Sequence, residues 1–249
     1  MLDPQPLAGK TALITGGAAR LGAMGVRLLH AAGAHVIIHY RKSADKARAL
    51  QTELQRIRPD SVSVVQGDLL DFSYLAQLVD ECLEATGQLD ILLNNASNFF
   101  PTPVDEATEQ QWDSLFGVNA KAPFFLAKEA ASALRETSGC IINMVDIHAQ
   151  RPHKNHPIYS MAKAANAMMV KSLARELAPE IRVNGVAPGA ILWPKGAHGE
   201  VSKHKSLPRI PLERAGRPEN IARTVLFLAT AEYITGQIIA VDGGRSVQQ

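Results

Sequence analysis

The 249-residue chain holds only two cysteines, Cys82 within a helical pattern and Cys140 at the start of a strand-like run. Neither sits at a metal-ligand spacing and the pair makes no disulfide framework, which predicts reduced, buried thiols in a cytoplasmic protein. An excess of one charge is lacking too. With 26 Lys and Arg against 24 Asp and Glu, interleaved to a formal +2, no basic stripe is left to neutralise phosphates, so nucleic acid is not expected as a partner. No uncharged apolar run reaches the roughly 18 residues needed to span a bilayer, and the opening MLDPQPLAGK has no signal-peptide core. Gly/Pro/Ser linkers, solenoid repeats and low-complexity tracts are missing as well, so residues 1–249 read as one domain.

Hydrophobic residues make up 46% of the chain, ample for a packed core. Short β-branched or Leu-rich runs recur at TALIT (11–15), HVIIHY (35–40), VSVVQ (62–66), LDILLNN (89–95), CIINMV (140–145), IRVNGVA (181–187) and QIIAVD (237–242). They make seven strand candidates. Between them, sets such as Leu50, Leu54 and Ile57, or Leu75, Leu78, Val79 and Cys82, fall on one face of a helix. Alternating strands and helices predict an α/β fold, a doubly wound, seven-stranded parallel sheet with helices on both faces. The irregular stretch 188–211, with four prolines and three glycines, reads as a substrate loop, and Trp193 within it as a pocket wall or a packed anchor.

TGGAARLG (15–22) follows the first strand and opens the first helix, where a glycine turn brings backbone N–H groups against a pyrophosphate. A tight strand-to-helix turn also needs glycine with no ligand at all. At the end of the second strand, where an NAD enzyme would place Asp or Glu for the ribose hydroxyl, stand Tyr40, Arg41, Lys42 and Ser43. Two cations and a hydroxyl suit a 2′-phosphate, hence NADPH; the other reading is a solvated helix start with Ser43 as N-cap. Asp68, ending the third strand, can accept from an adenine amino group or simply form a turn. Asn95, Ala96 and Ser97 end the fourth strand, where small residues allow close approach of a cofactor.

Tyr159 and Lys163 lie four apart on a predicted helix, so both project from one face. An ammonium beside a phenol favours the phenolate and so a lowered Tyr159 pKa, although on spacing alone YxxxK is common by chance in helices. Asp146 is the odd residue, a carboxylate at the exit of the apolar run GCIINMV, expensive to desolvate unless something uses it. His148, His153 and His156 have no carboxylate or thiol at ligand spacing, so no metal is expected; they read as hydrated loop side chains beside the site.

TGGAARLG, NNAS, Asn119 in GVNAKAPF, YSMAK, NGVAPG and ITGQIIAVDGG occur in an order and spacing that resemble the short-chain dehydrogenase/reductase family over nearly the whole chain. The resemblance implies a Rossmann fold, a homotetramer and a nicotinamide cofactor contacted by Gly16, Arg20, Leu21, Pro188 and Gly189 besides the residues above. It also implies that Tyr159 is the acid/base, that Lys163 lowers its pKa and holds the nicotinamide ribose, and that Asn119 supports a relay water. Two positions depart from the family pattern: Arg20 replaces the middle glycine of the turn, and Asp146 stands where a serine is usual. Both departures resemble the pteridine reductase branch, as do HYRKS, NNASNFFPTP and YSMAKAA.

That branch implies reduction of dihydropterins, and of dihydrofolate as a further candidate, with Phe99 stacking the pterin and Ser97 and Arg20 touching both pterin and cofactor. An ionised Asp146 only accepts hydrogen bonds, so it must work protonated or face a substrate rich in donors, as a pterin is. A carbonyl or 3-oxoacyl reductase of the same fold is the first alternative and a non-catalytic NADP-binding regulator the second.

Overall fold

Leu13 and Ile14 are neighbours in the chain yet lie in different cores, and the same is true of Ile37 and Ile38, Leu92 and Leu93, and Ile141 and Ile142. Successive strand residues point to opposite faces, so a sheet covered on both sides needs unbroken apolar runs instead of alternation. A computed structural model describes residues 4–193, 204 and 207–248. It shows seven parallel strands, β1 (Thr11–Ile14), β2 (His35–Tyr40), β3 (Val62–Gln66), β4 (Ile91–Asn94), β5 (Cys140–Met144), β6 (Arg182–Pro188) and β7 (Ile238–Val241). Their order is β3-β2-β1-β4-β5-β6-β7. Every strand read from the sequence is present, within a residue or two of its expected bounds.

On one face α1 (Arg20–Ala31), α2 (Ala44–Gln55) and α7 (Pro218–Thr230) pack through Val26 and Leu29, Leu50 and Leu54, and Ile221 and Val225. On the other, α3 (Tyr74–Thr86), α5 (Ala122–Glu136) and α6 (Pro157–Glu176) contribute Leu75 and Leu78, Leu126 and Leu134, and Leu173. Ile57 departs from its expected place, for α2 stops at Gln55 and Ile57 is 73% exposed. Pro59 disfavours helix in the residue before it, and the Arg58 guanidinium turns away to the carbonyls of His30, Gly33 and Ala34. Among the described residues no helix is long and apolar enough to cross a membrane.

The order of strands reverses between β1 and β4, the switch point at whose carboxyl ends open α/β sheets form a crevice. Thr15 stitches that crevice. Its hydroxyl oxygen accepts from the backbone N–H groups of Asn95 (2.9 Å) and Ala96 (3.0 Å), while Asn95 Nδ2 donates to the carbonyls of Thr15 and Gly16. The segments after β1 and β4 are therefore one hydrogen-bonded unit.

Candidate active site

Helix α6 begins at Pro157, whose fixed φ and missing N–H suit a first helical turn. Its period then sets Tyr159, Lys163 and Asn166 on one face, with exposures of 4, 2 and 1%. Strand β5 delivers Asp146 to the same place. Asp146 caps the short 3-10 turn Ile147–Ala149, its Oδ1 accepting from the His148 N–H at 2.8 Å, and its Oδ2 accepts from the Tyr159 hydroxyl at 2.7 Å. Two donors and partial exposure offset the cost of a carboxylate at the end of a buried strand. Each carboxyl oxygen thus has one partner inside the protein.

The Tyr159 pKa moves against the direction that the Tyr–Lys spacing suggests. Burial first, and then the Asp146 charge, hold the phenol above its ordinary value. Lys163 points its Nζ at the Met144 carbonyl, 2.8 Å away, and lies 5.8 Å from the centre of the phenol ring. Burial pushes Lys163 down to about 8, against a smaller opposing pull from Asp146. The phenol thus keeps its proton, and the ammonium is the group that titrates near neutrality.

Asn119 sits in a single π-helical turn, Gly117–Lys121, between α4 (Glu109–Phe116) and α5. Such turns interrupt the regular ladder and free groups for other partners. Its Nδ2 donates to the carbonyls of Asn98 (3.0 Å) and Leu115 (2.9 Å), and its Oδ1 accepts from Ser97 Oγ at 2.6 Å. Its own carbonyl accepts from Asn166 Nδ2 at 2.7 Å. Asn166 was not singled out from the sequence, although an amide on the Lys163 face of a helix, in ANAMM, is a readable signal. Through Asn119, α6 grips the loop that carries Ser97 and Phe99.

Phe99 stacks on His156 with ring centres 4.5 Å apart and planes 9° from parallel, and meets the Tyr159 ring edge-on at 4.8 Å. His153 stacks with His148 (4.7 Å) and lies against His156 (4.6 Å). The three histidines therefore form a column of rings instead of hydrating a loop, and burial, with the neighbouring imidazoles and Arg245, pushes His153 down to about 4. Phe100 packs with Leu115, Ile158 and Tyr159 beneath the site. Trp193 is partly exposed at the edge of the described residues, and most of the expected 188–211 substrate loop falls outside them.

The glycine turn has its own geometry. Gly16 has φ 60°, and a Cβ at Gly22 would come within 2.3 Å of the Gly16 carbonyl oxygen, so the turn closes only around glycine. Arg20, at the expected glycine position, has φ 53°, which puts an arginine in the left-handed region at a cost of about 1–2 kcal/mol. His39 bridges the turn to β3: its Nδ1 faces the Gly16 N–H at 3.4 Å and its Nε2 the Gly67 carbonyl at 3.1 Å. Burial pushes His39 down to about 4, which keeps it neutral and able to serve both partners. Helix α1 starts with no side-chain cap and no acidic residue in its first turn, so its N–H groups and dipole are available to an anion. Leu21 packs partly buried against the core beside this turn.

The end of β2 divides into core and surface. Tyr40 is buried, its ring packs in the core and its hydroxyl donates to Gln66. Arg41 and Lys42 are exposed, and Arg41 pairs with Asp68 Oδ2 at 3.5 Å while Asp68 Oδ1 accepts from the Leu70 N–H. Ser43 precedes α2 but makes no capping hydrogen bond. Pro188 and Gly189 close β6, where a Cβ on Gly189 would meet Asp242 at 2.5 Å.

A protein-family model described as enoyl-(acyl carrier protein) reductase matches residues 17–246. The chain belongs to the short-chain dehydrogenase/reductase family. This oxidoreductase is 37% identical to pteridine reductase 1 of Leishmania tarentolae over 278 residues, covering 95% of the chain and 96% of that protein. It is 37% identical to L-xylulose reductase of Bos taurus, over 96% of the chain and 97% of the relative, and 35% identical to a 3-oxoacyl-(acyl-carrier-protein) reductase of Staphylococcus aureus, over 94 and 97%. Reductases of the family use a nicotinamide cofactor. The uncapped α1 terminus and the glycine-only turn fit a pyrophosphate.

Proposed function

We propose that the chain is an NADPH-dependent reductase of dihydropterins, with dihydrofolate as a second substrate, producing the tetrahydro forms. The observation that carries the reading is the 2.7 Å hydrogen bond from Tyr159 to Asp146. A carbonyl substrate offers only lone pairs, and an ionised Asp146 beside it repels them; a pterin offers ring N–H and amino donors that a carboxylate accepts. The likeness to a pteridine reductase across the whole chain supports the same choice.

When bound, the nicotinamide cofactor supplies the hydride that the substrate carbon receives. Tyr159 supplies the proton for the ring nitrogen, so the C=N bond becomes CH–NH with one hydride and one proton gained. Its raised pKa keeps that proton in place at neutral pH, and the Lys163 ammonium stabilises the tyrosinate left behind. Asp146 orients the phenol and the substrate's donors. Asn119 holds Ser97 in position through the 2.6 Å hydrogen bond, and Ser97 and Arg20 are assigned to both cofactor and substrate.

NADPH oxidation measured across dihydrobiopterin, dihydrofolate, a 3-oxoacyl thioester and small ketones tests the reading. Dihydropterins are expected to be turned over fastest; faster turnover of the carbonyl compounds would replace it with the carbonyl reductase reading that the xylulose and 3-oxoacyl relatives favour. The exposed Arg41 and Lys42 are assigned to the 2′-phosphate. Converting both to Ala is expected to weaken NADPH binding by about 1.5–3 kcal/mol, roughly 10- to 100-fold, with NADH affinity nearly unchanged in a fluorescence titration. Equal losses for the two cofactors would take these residues out of phosphate recognition.

A further inference from the structure

Phe99 does not stand alone. One of its faces lies against the His156 imidazole at 4.5 Å and 9°, and the residue as a whole still remains 56% exposed. His156 is itself held from several sides. Its Nδ1 is 2.9 Å from the Lys154 carbonyl, which can only accept, so Nδ1 carries the hydrogen. Its backbone N–H donates to the His153 carbonyl, its own carbonyl accepts from the Ser160 N–H, and the Ser160 hydroxyl accepts from the His153 N–H. Ser160 follows Tyr159 directly, so the imidazole is fastened to the turn of α6 that carries the phenol.

The loop bearing His156 is also clasped to the loop bearing Phe99. Thr102 donates its N–H to the Asn155 carbonyl at 2.7 Å, and Asn155 adopts the left-handed φ of 63° that asparagine tolerates better than most residues. The stack is therefore built from both sides by backbone hydrogen bonds. An exposed phenylalanine on a free loop samples several rotamers; one backed by a fixed ring presents a single plane.

Resting on the pterin reading above, we infer that His156 is a positioning residue for substrate: it backs Phe99, so that the open part of that ring forms a fixed platform for a planar heterocycle beside Tyr159. Substrates then sort by planarity as well as by their donors. The imidazole never touches the substrate; it acts through Phe99.

Three variants test this, His156→Leu, His156→Phe and His156→Ala, each first checked for an unchanged melting temperature. Leucine matches much of the bulk without a flat face, and phenylalanine keeps the flat face without the nitrogens. With the NADPH-loaded enzyme, His156→Leu is expected to raise KM for dihydrobiopterin about three- to tenfold while kcat and the NADPH Kd stay within twofold. His156→Phe should keep KM within twofold of wild type, and His156→Ala replaces the leucine variant if that one fails to fold. An unchanged KM in the leucine or alanine variant, or a phenylalanine variant as impaired as they are, overturns the inference while leaving dihydropterin reduction standing. A wild-type protein that reduces no dihydropterin overturns the proposed function and this inference together.

Discussion

Replacing Tyr159 with phenylalanine is expected to lower kcat for dihydropterin reduction by about 10²–10⁴-fold, the usual worth of a positioned proton donor. The change deletes one oxygen from a packed ring. Tyr159 is buried with Leu115 and Ile158, and phenylalanine keeps those contacts. The hydroxyl's partner, Asp146 Oδ2, is only half-buried, so water can replace the lost donor and the fold should lose little stability. NADPH binding, measured by fluorescence, should stay within a few-fold of wild type. A variant retaining more than a tenth of wild-type turnover would mean that another group delivers the proton, and the assignment of Tyr159 would fall.

Lys163→Met is expected to stabilise the cofactor-free protein while abolishing turnover. Lys163 is 2% exposed, and the Met144 carbonyl is its one hydrogen-bond partner among the described contacts. Burial lowers its pKa from 10.5 to about 8, so folding disfavours the charged form. Below pH 8 the penalty is present in full. Between pH 8 and 10.5 the unfolded chain binds more protons than the folded one, so wild-type stability rises with pH; above 10.5 the penalty is gone. A shift of this size corresponds to about 3 kcal/mol, from which losing the hydrogen bond to Met144 removes about 1 kcal/mol. Urea denaturation at pH 7 should therefore show the methionine variant more stable by about 1–2 kcal/mol, with the advantage fading as the pH approaches 10. A variant less stable than wild type at pH 7 would show that the ammonium is better satisfied in the fold than its surroundings indicate.

The sheet was legible because burial on both faces leaves a pattern that needs no tertiary knowledge. Runs such as HVIIHY and CIINMV are dominated by consecutive apolar residues without strict alternation, and all seven became strands. The glycine turn and the Tyr159, Lys163 and Asp146 set were legible because covalent spacing fixes them on adjacent elements. What depended on how separate segments meet was not. The stack of Phe99 on His156 requires the loop after β4 to close on the loop before α6, and no spacing rule joins Phe99 to a histidine 57 positions later. The Tyr159 pKa moved the other way for a related reason: burial of the phenol and then the Asp146 charge, both set by how separate segments pack, outweigh the i, i+4 neighbour.

Arg20 carries a consequence for how such a chain can vary. Its left-handed backbone is the conformation that glycine adopts freely, and it is the one charged residue in TGGAARLG. Under the binding role proposed for Arg20, folding and recognition pull this position in opposite directions: glycine relaxes the turn, and arginine keeps a cation in it. Selection for heat resistance alone would drift towards glycine and wear away affinity without any visible damage to the fold, whereas selection for activity would hold a residue that looks, by backbone criteria, like a mistake.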